Sequence, residues 1–288
     1  MNTAAWTPRP SPNVRTTVLG STLVLVPATI FLLKALNPAA LPEWPVQHFY
    51  IVSAASLLAA AVAAILAVTT VQIGLYRVLL LCLGFTSMGG IFAVHGLLTP
   101  GVVIPEHLED IAYRVIGMSA YFSIAVPAVF FAASFAPGLP WLEERLPFWP
   151  AGWLVLLTVV ALVTYGAVAF IKTTFLSMSF LANPPVSYVL VFGTIALLAF
   201  SAFQQGRMYL TTGLTSQADL IFAFVLLAYA AASMALFDIW TLGWWFYHLL
   251  MLTAVCFALR ALVAERIQAT SFKAAVEATL ELGHEIPN

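Results

Sequence analysis

The chain has 288 residues, 62% apolar and only 8% charged, against about 25% charged in an ordinary soluble domain. At a mean hydropathy of +0.99 there is too little polar surface for a water-soluble fold, and 11 basic against 12 acidic residues give no field that would attract nucleic acid. Long unbroken apolar runs exclude an outer-membrane barrel, which is built from short alternating segments. The composition therefore predicts an all-α fold, a polytopic helical membrane bundle, whose first partner is the lipid bilayer.

A spanning helix needs about 20 mostly apolar residues. Eight segments meet this in chain order, near Thr17–Leu36, Phe49–Val71, Arg77–Leu98, Ile111–Ala136, Ala151–Ile171, Ser187–Gln204, Ala218–Phe237 and Trp240–Ala264. Proline-bearing connectors divide several of them: Asn37 to Pro45, Thr99 to Pro105, Pro137 to Pro150, and Asn183-Pro184-Pro185. Proline cannot continue a helix there. Pro27 and Pro127 fall inside spans, where proline can kink a helix. Only Asp238 and Ile239 separate the last two segments, so seven spans is the competing count.

Charge decides between the two counts. With eight spans and the N-terminus inside, the cytoplasmic segments hold Arg9, Arg15, Arg77, Arg145, Arg207, Arg260, Arg266 and Lys273, and the outer ones only Lys34, Arg114 and Lys172. This is the positive-inside distribution of an inner-membrane protein with both ends cytoplasmic. The expected organisation is a cytoplasmic segment over 1–16, a transmembrane bundle over 17–264 and a cytoplasmic exit helix over 265–288. The first apolar run lacks a small-residue cleavage site and reads as a span rather than a signal peptide. Cys82 and Cys256 read as small core residues, not as a disulfide.

Ionisable groups within spans are the first functional suspects in a membrane protein. No Asp, Glu or Lys lies at the centre of a span, which argues against proton-relay pumps, most ion-coupled transporters and retinal proteins. The motifs H-E-x-x-H, G-x-S-x-G and the P-loop are absent. Histidine is the informative residue. Of five, four fall toward the outer face: His48 before the second span, His95 near the end of the third, His107 before the fourth, and His248 inside the eighth. Imidazole is the commonest metal ligand and the axial ligand of b-type haems. His95 and His248, at comparable depth, are the leading pair, with His48 and His107 as rim ligands that would complete a copper or zinc site. Met234 and Met251 are candidate soft ligands, and Glu106, Glu109 and Asp110 would attract a cation or orient a histidine. Trp244 and Tyr247 would line an organic-ligand pocket beside His248, or belong to an interfacial aromatic belt. Small residues mark the third and seventh spans as interior: Gly84, Ser87, Gly89 and Gly90, and Ala228, Ala231, Ala232 and Ser233.

Beyond Arg260 the charges Glu265, Arg266, Lys273, Glu277 and Glu281 alternate with Leu262, Val263, Ile267, Val276 and Leu280. This predicts an amphipathic helix that prolongs the eighth span out of the membrane and ends at Gly283. Three features together, His95-Gly-Leu-Leu-Thr-Pro-Gly, Trp-Trp-Phe-Tyr-His248-Leu-Leu-Met and the charged exit helix, resemble the N-terminal multi-span membrane input modules of bacterial signalling proteins. The resemblance implies a ligand- or redox-sensing membrane domain, usually a homodimer, with His95 and His248 as the motif histidines. It also implies a cytoplasmic output, a cyclase, phosphodiesterase, phosphatase or kinase. No such domain follows within these residues, so the output is expected on a longer chain or on a partner protein. The expected function is a membrane sensor that binds a small ligand, metal or haem among the outer histidines. The rival is a membrane redox or metal-dependent enzyme, or an electron-transfer protein, using the same histidines. A transporter is disfavoured by the missing mid-span charge, and a structural subunit would leave the histidines inert.

Overall fold

A computed structural model describes residues 12–36, 41–105, 109–145, 150–171 and 184–284. Among these residues the regular elements are all helices, without strands: α1 (Pro12–Leu36), α2 (Pro45–Ile73), α3 (Tyr76–Leu97), α4 (Glu109–Ala133), the short α5 (Leu139–Arg145), α6 (Pro150–Ile171), α7 (Pro184–Thr212), α8 (Thr215–Leu236) and α9 (Leu242–His284). All but α5 are long and apolar enough to cross a membrane. The eight expected spans are all present. Residues 237–241 do interrupt the last two, which removes the seven-span alternative. The helices run through Pro27 and Pro127. The sixth runs beyond the expected Gln204 to Thr212.

Local chemistry sets the short turns. The amide of Gly74, at φ +72°, donates to Thr70 O at 2.9 Å and closes α2 in the left-handed conformation that glycine adopts without strain. Gly213, at φ +65°, donates to Tyr209 O at 2.8 Å and closes α7 in the same way. Two tight hairpins result, α2–α3 and α7–α8, with their turns at one end of the bundle. Arg77, Gln205 and Met208 meet at this end, the Arg77 Nη2 donating to Gln205 Oε1 at 3.3 Å. Asp219 of α8 pairs there with Arg260 of α9. Lys34 lies at the opposite end, its Nζ donating to the Leu236 carbonyl at 2.7 Å.

In a membrane, where lipid is as apolar as leucine, burial of apolar area does not drive helices together, and close approach has to. The main seams are α2 with α3, α3 with α4, α8 with α9, and α7 with α8. Glycine makes the first of them. A Cβ on Gly89 would stand 3.1 Å from the Ser56 carbonyl oxygen and 3.3 Å from the Ala60 nitrogen, both backbone atoms of α2. Cys82 donates its thiol to Ala63 O across the same seam at 3.4 Å. Inside, Ala59, Phe85, Phe131, Phe224, Met251 and Ala254 belong to one continuous buried cluster. The third and seventh spans, α3 and α8, are interior as expected, and α4 joins them. Helices α1 and α6 lie at the periphery and turn Val24, Phe31, Leu157 and Val163 outward. Cys82 is buried, as its reading as a core residue required, whereas Cys256 is exposed on the outside of α9.

Candidate metal centre

Antiparallel pairing brings the start of α2 beside the end of α3, and α9 packs against α2. His48 in the first turn of α2, His95 in the last turn of α3 and His248 in the second turn of α9 therefore meet, all three buried. The Nε2 atom of His48 lies 3.0 Å from that of His95 and 3.1 Å from that of His248. Among the described residues this is the group of histidines, cysteines and carboxylates whose ligand atoms converge closely enough to share an ion.

The outer nitrogens explain the orientation. His95 Nδ1 meets the Ile116 carbonyl of α4 at 2.9 Å, and His248 Nδ1 meets the Trp244 carbonyl, one turn back in α9, at 3.0 Å. A carbonyl only accepts, so both Nδ1 atoms carry the proton. In the neutral rings each Nε2 then presents a lone pair to the centre. His48 Nδ1 lies 3.0 Å from Thr99 Oγ1. If His48 donates there, three lone pairs face one another. If the threonine donates instead, the single Nε2–H of His48 satisfies one neighbour and leaves the other lone pair opposed. Either way the protein alone cannot satisfy all three nitrogens, and a cation can. Nitrogen–metal bonds of about 2.0–2.1 Å in trigonal or tetrahedral geometry put ligand nitrogens roughly 3.3–3.6 Å apart. The rings need to part by only a few tenths of an ångström to admit an ion.

The motif around His95 has a mechanical reading. A Cβ on Gly96 would come within 2.9 Å of Val52 Cγ1, so glycine lets α2 approach where His48 must reach. The Thr99 amide donates to Gly96 O at 3.0 Å, which turns the chain and presents the hydroxyl to His48. Gly101, at φ +74°, then lets the loop fold back, its amide donating to Ile104 O at 2.9 Å.

Two of the histidines, His48 and His95, line a cavity of about 190 Å³ whose walls also include Thr99, Tyr113, Met234 and Trp240. Aromatic rings close the other sides. Trp244 lies 4.4 Å from His248 and 5.0 Å from His48, centroid to centroid, and Tyr247 lies 4.0 Å from His248. Phe92 stacks on His95 at 5.1 Å with the planes 14° apart.

Of the expected site residues, the fold brings together His48, His95, His248, Trp244 and Tyr247. His48 changes rank: it is helical and central, touching both other histidines, instead of a contributor from the rim. Trp244 and Tyr247 are buried against the histidines. Met234 lines the cavity, while Met251 is buried in the bundle core. His107 and Glu106 lie outside the described residues, as do the side chains of Glu109, Asp110 and Arg114. Sequence reasoning passed over Thr99, the Ile116 carbonyl and Trp240. A threonine four residues after His95 was a legible signal for the first, whereas the other two are set by packing. No family model, curated protein or solved structure matches this chain.

Proposed function

We propose that the protein is a multi-pass inner-membrane sensor that holds a copper or zinc ion between His48, His95 and His248 and reports its state through α9. One observation carries the reading: three buried Nε2 atoms converge, two of them with tautomers fixed by backbone carbonyls. Three imidazoles without a carboxylate suit copper or zinc. A b-type haem fits the arrangement poorly, because His48 stands between His95 and His248, where the macrocycle would lie.

The ion would act as a clamp. His248 belongs to α9, the other two ligands to α2 and α3, so binding ties α9 to a pair of helices already locked together by Gly89 and Gly96. Helix α9 continues without a break from Leu242 to His284, and a shift at its first turns is carried rigidly along its length. In this reading the histidine end faces outward and the arginine end meets the cytoplasm, where α9 presents the shift to an output domain or partner, and a homodimer doubles the signal.

The experiment is metal analysis of the purified chain together with His248→Ala. The wild type is expected to retain about one ion per chain, and the variant to insert normally and retain none. Equal metal in both overturns the assignment. A metal-dependent redox enzyme is the second reading, favoured by the cavity that reaches His48 and His95. Turnover of a reductant or oxidant by the metal-loaded chain distinguishes it from a sensor, which moves α9 without turnover.

A further inference from the structure

Resting on that metal reading, we infer that the ion keeps one exchangeable position open toward the cavity, and that a small lone-pair donor fills it while accepting a hydrogen bond from Trp240. The ligand class is a molecule of one to a few heavy atoms, bound through oxygen or nitrogen.

Three observations meet on this side of the site. First, three protein nitrogens leave a tetrahedral ion one position short, and the cavity of about 190 Å³ touches two of the three ligands. Second, Trp240 lines that cavity, is 5% exposed, and its indole Nε1–H has no acceptor among the described protein groups. An indole nitrogen only donates, so a buried one without an acceptor calls for a lone pair from a ligand or water. Third, Trp240 is the one non-glycine residue among those described with a positive φ, +63°. Its carbonyl accepts the Leu41 amide at 2.8 Å, which pins the connector in this conformation. A large β-substituted residue held there against its backbone preference marks a position set by what its side chain meets. The ring centroid lies 6.0 Å from that of His48.

Helix α4 supplies the control. Gly117 of α4 lines the cavity, and a Cβ added to it would meet nothing within 4 Å. A side chain at 117 therefore starts into open space on the cavity side of α4, next to Ile116, and its Cβ meets no neighbour.

The test is azide titration of the full chain loaded with Co2+, read from the visible absorption bands. Azide is expected to shift the bands of the wild type. Trp240→Phe should load the same cobalt and bind azide about tenfold more weakly, the loss of one hydrogen bond to a charged acceptor. Gly117→Leu should load the same cobalt and bind azide at least tenfold more weakly by filling the cavity, and it keeps the test decisive if Trp240→Phe does not fold. A chain that loads cobalt and ignores azide overturns this inference alone, as does wild-type azide affinity in Gly117→Leu. A chain that takes up no metal overturns the metal reading and this inference with it.

Discussion

At the scale of single residues, the centre is decided by which nitrogen of each imidazole carries a proton. Ile116 O and Trp244 O, being acceptors only, turn the lone pairs of His95 and His248 inward. His48 is held by a hydroxyl, which leaves its tautomer switchable. Thr99→Val removes that partner while keeping the shape. Metal affinity is expected to fall about 10- to 100-fold, as for other groups that orient a ligand, measured by competition with a chelator of known affinity. His48→Ala should go further and abolish retention, although the sequence alone places this residue at the rim. Protons compete with the ion for the same three lone pairs, so affinity falls as the pH falls. Metal content after equilibration across a pH series should decline on the acid side and recover on return to neutral pH.

At the scale of elements, stability lies in helix seams that glycine permits. Gly89 faces backbone atoms of α2, which cannot rotate away as a side chain can. Gly89→Val should lower the thermal unfolding midpoint, at a cost of about 1–3 kcal/mol for overpacking. Gly193 of α7 meets nothing within 4 Å, and Gly193→Ala should leave the midpoint unchanged or raise it slightly. Equal effects from the two substitutions would show that the α2–α3 seam is not the constraint. The glycines of α3 were legible as packing residues from their small size and spacing. That Gly96 lies beside the histidine cluster was not, because its neighbour Val52 lies 44 positions away and only antiparallel pairing brings them together.

At the scale of the whole molecule, the two ends of the bundle have different chemistry, and α9 joins them. His248 stands near its start and Arg260, paired with Asp219, lies 12 residues on, about 18 Å along the axis at 1.5 Å per residue. If the ion clamps α9 against α2 and α3, its removal should change the distance between a spin label on the exposed Cys256 and one placed at residue 73, at the end of α2. Chelation of the wild type should broaden or shift that distance, and His248→Ala should show the chelated distribution with or without metal. An unchanged distribution would separate metal binding from any transmitted motion.

The sequence by itself determined the eight helices long and apolar enough to cross a membrane and the glycine-lined interior. Each follows from local composition and from a periodicity that tertiary contacts do not alter, since 20 apolar residues leave a helix across the bilayer as the available structure. Tertiary structure alone decided which histidines meet. His48, His95 and His248 are separated by 47 and 153 positions, and their rank as ligands depends on helix pairing, on the rotation of each helix about its axis, and on carbonyls from α4 and α9 that fix the tautomers. Depth along a span can be read from a sequence. The direction a side chain faces within the bundle is set by its neighbours, and this is why a residue expected at the rim stands at the centre.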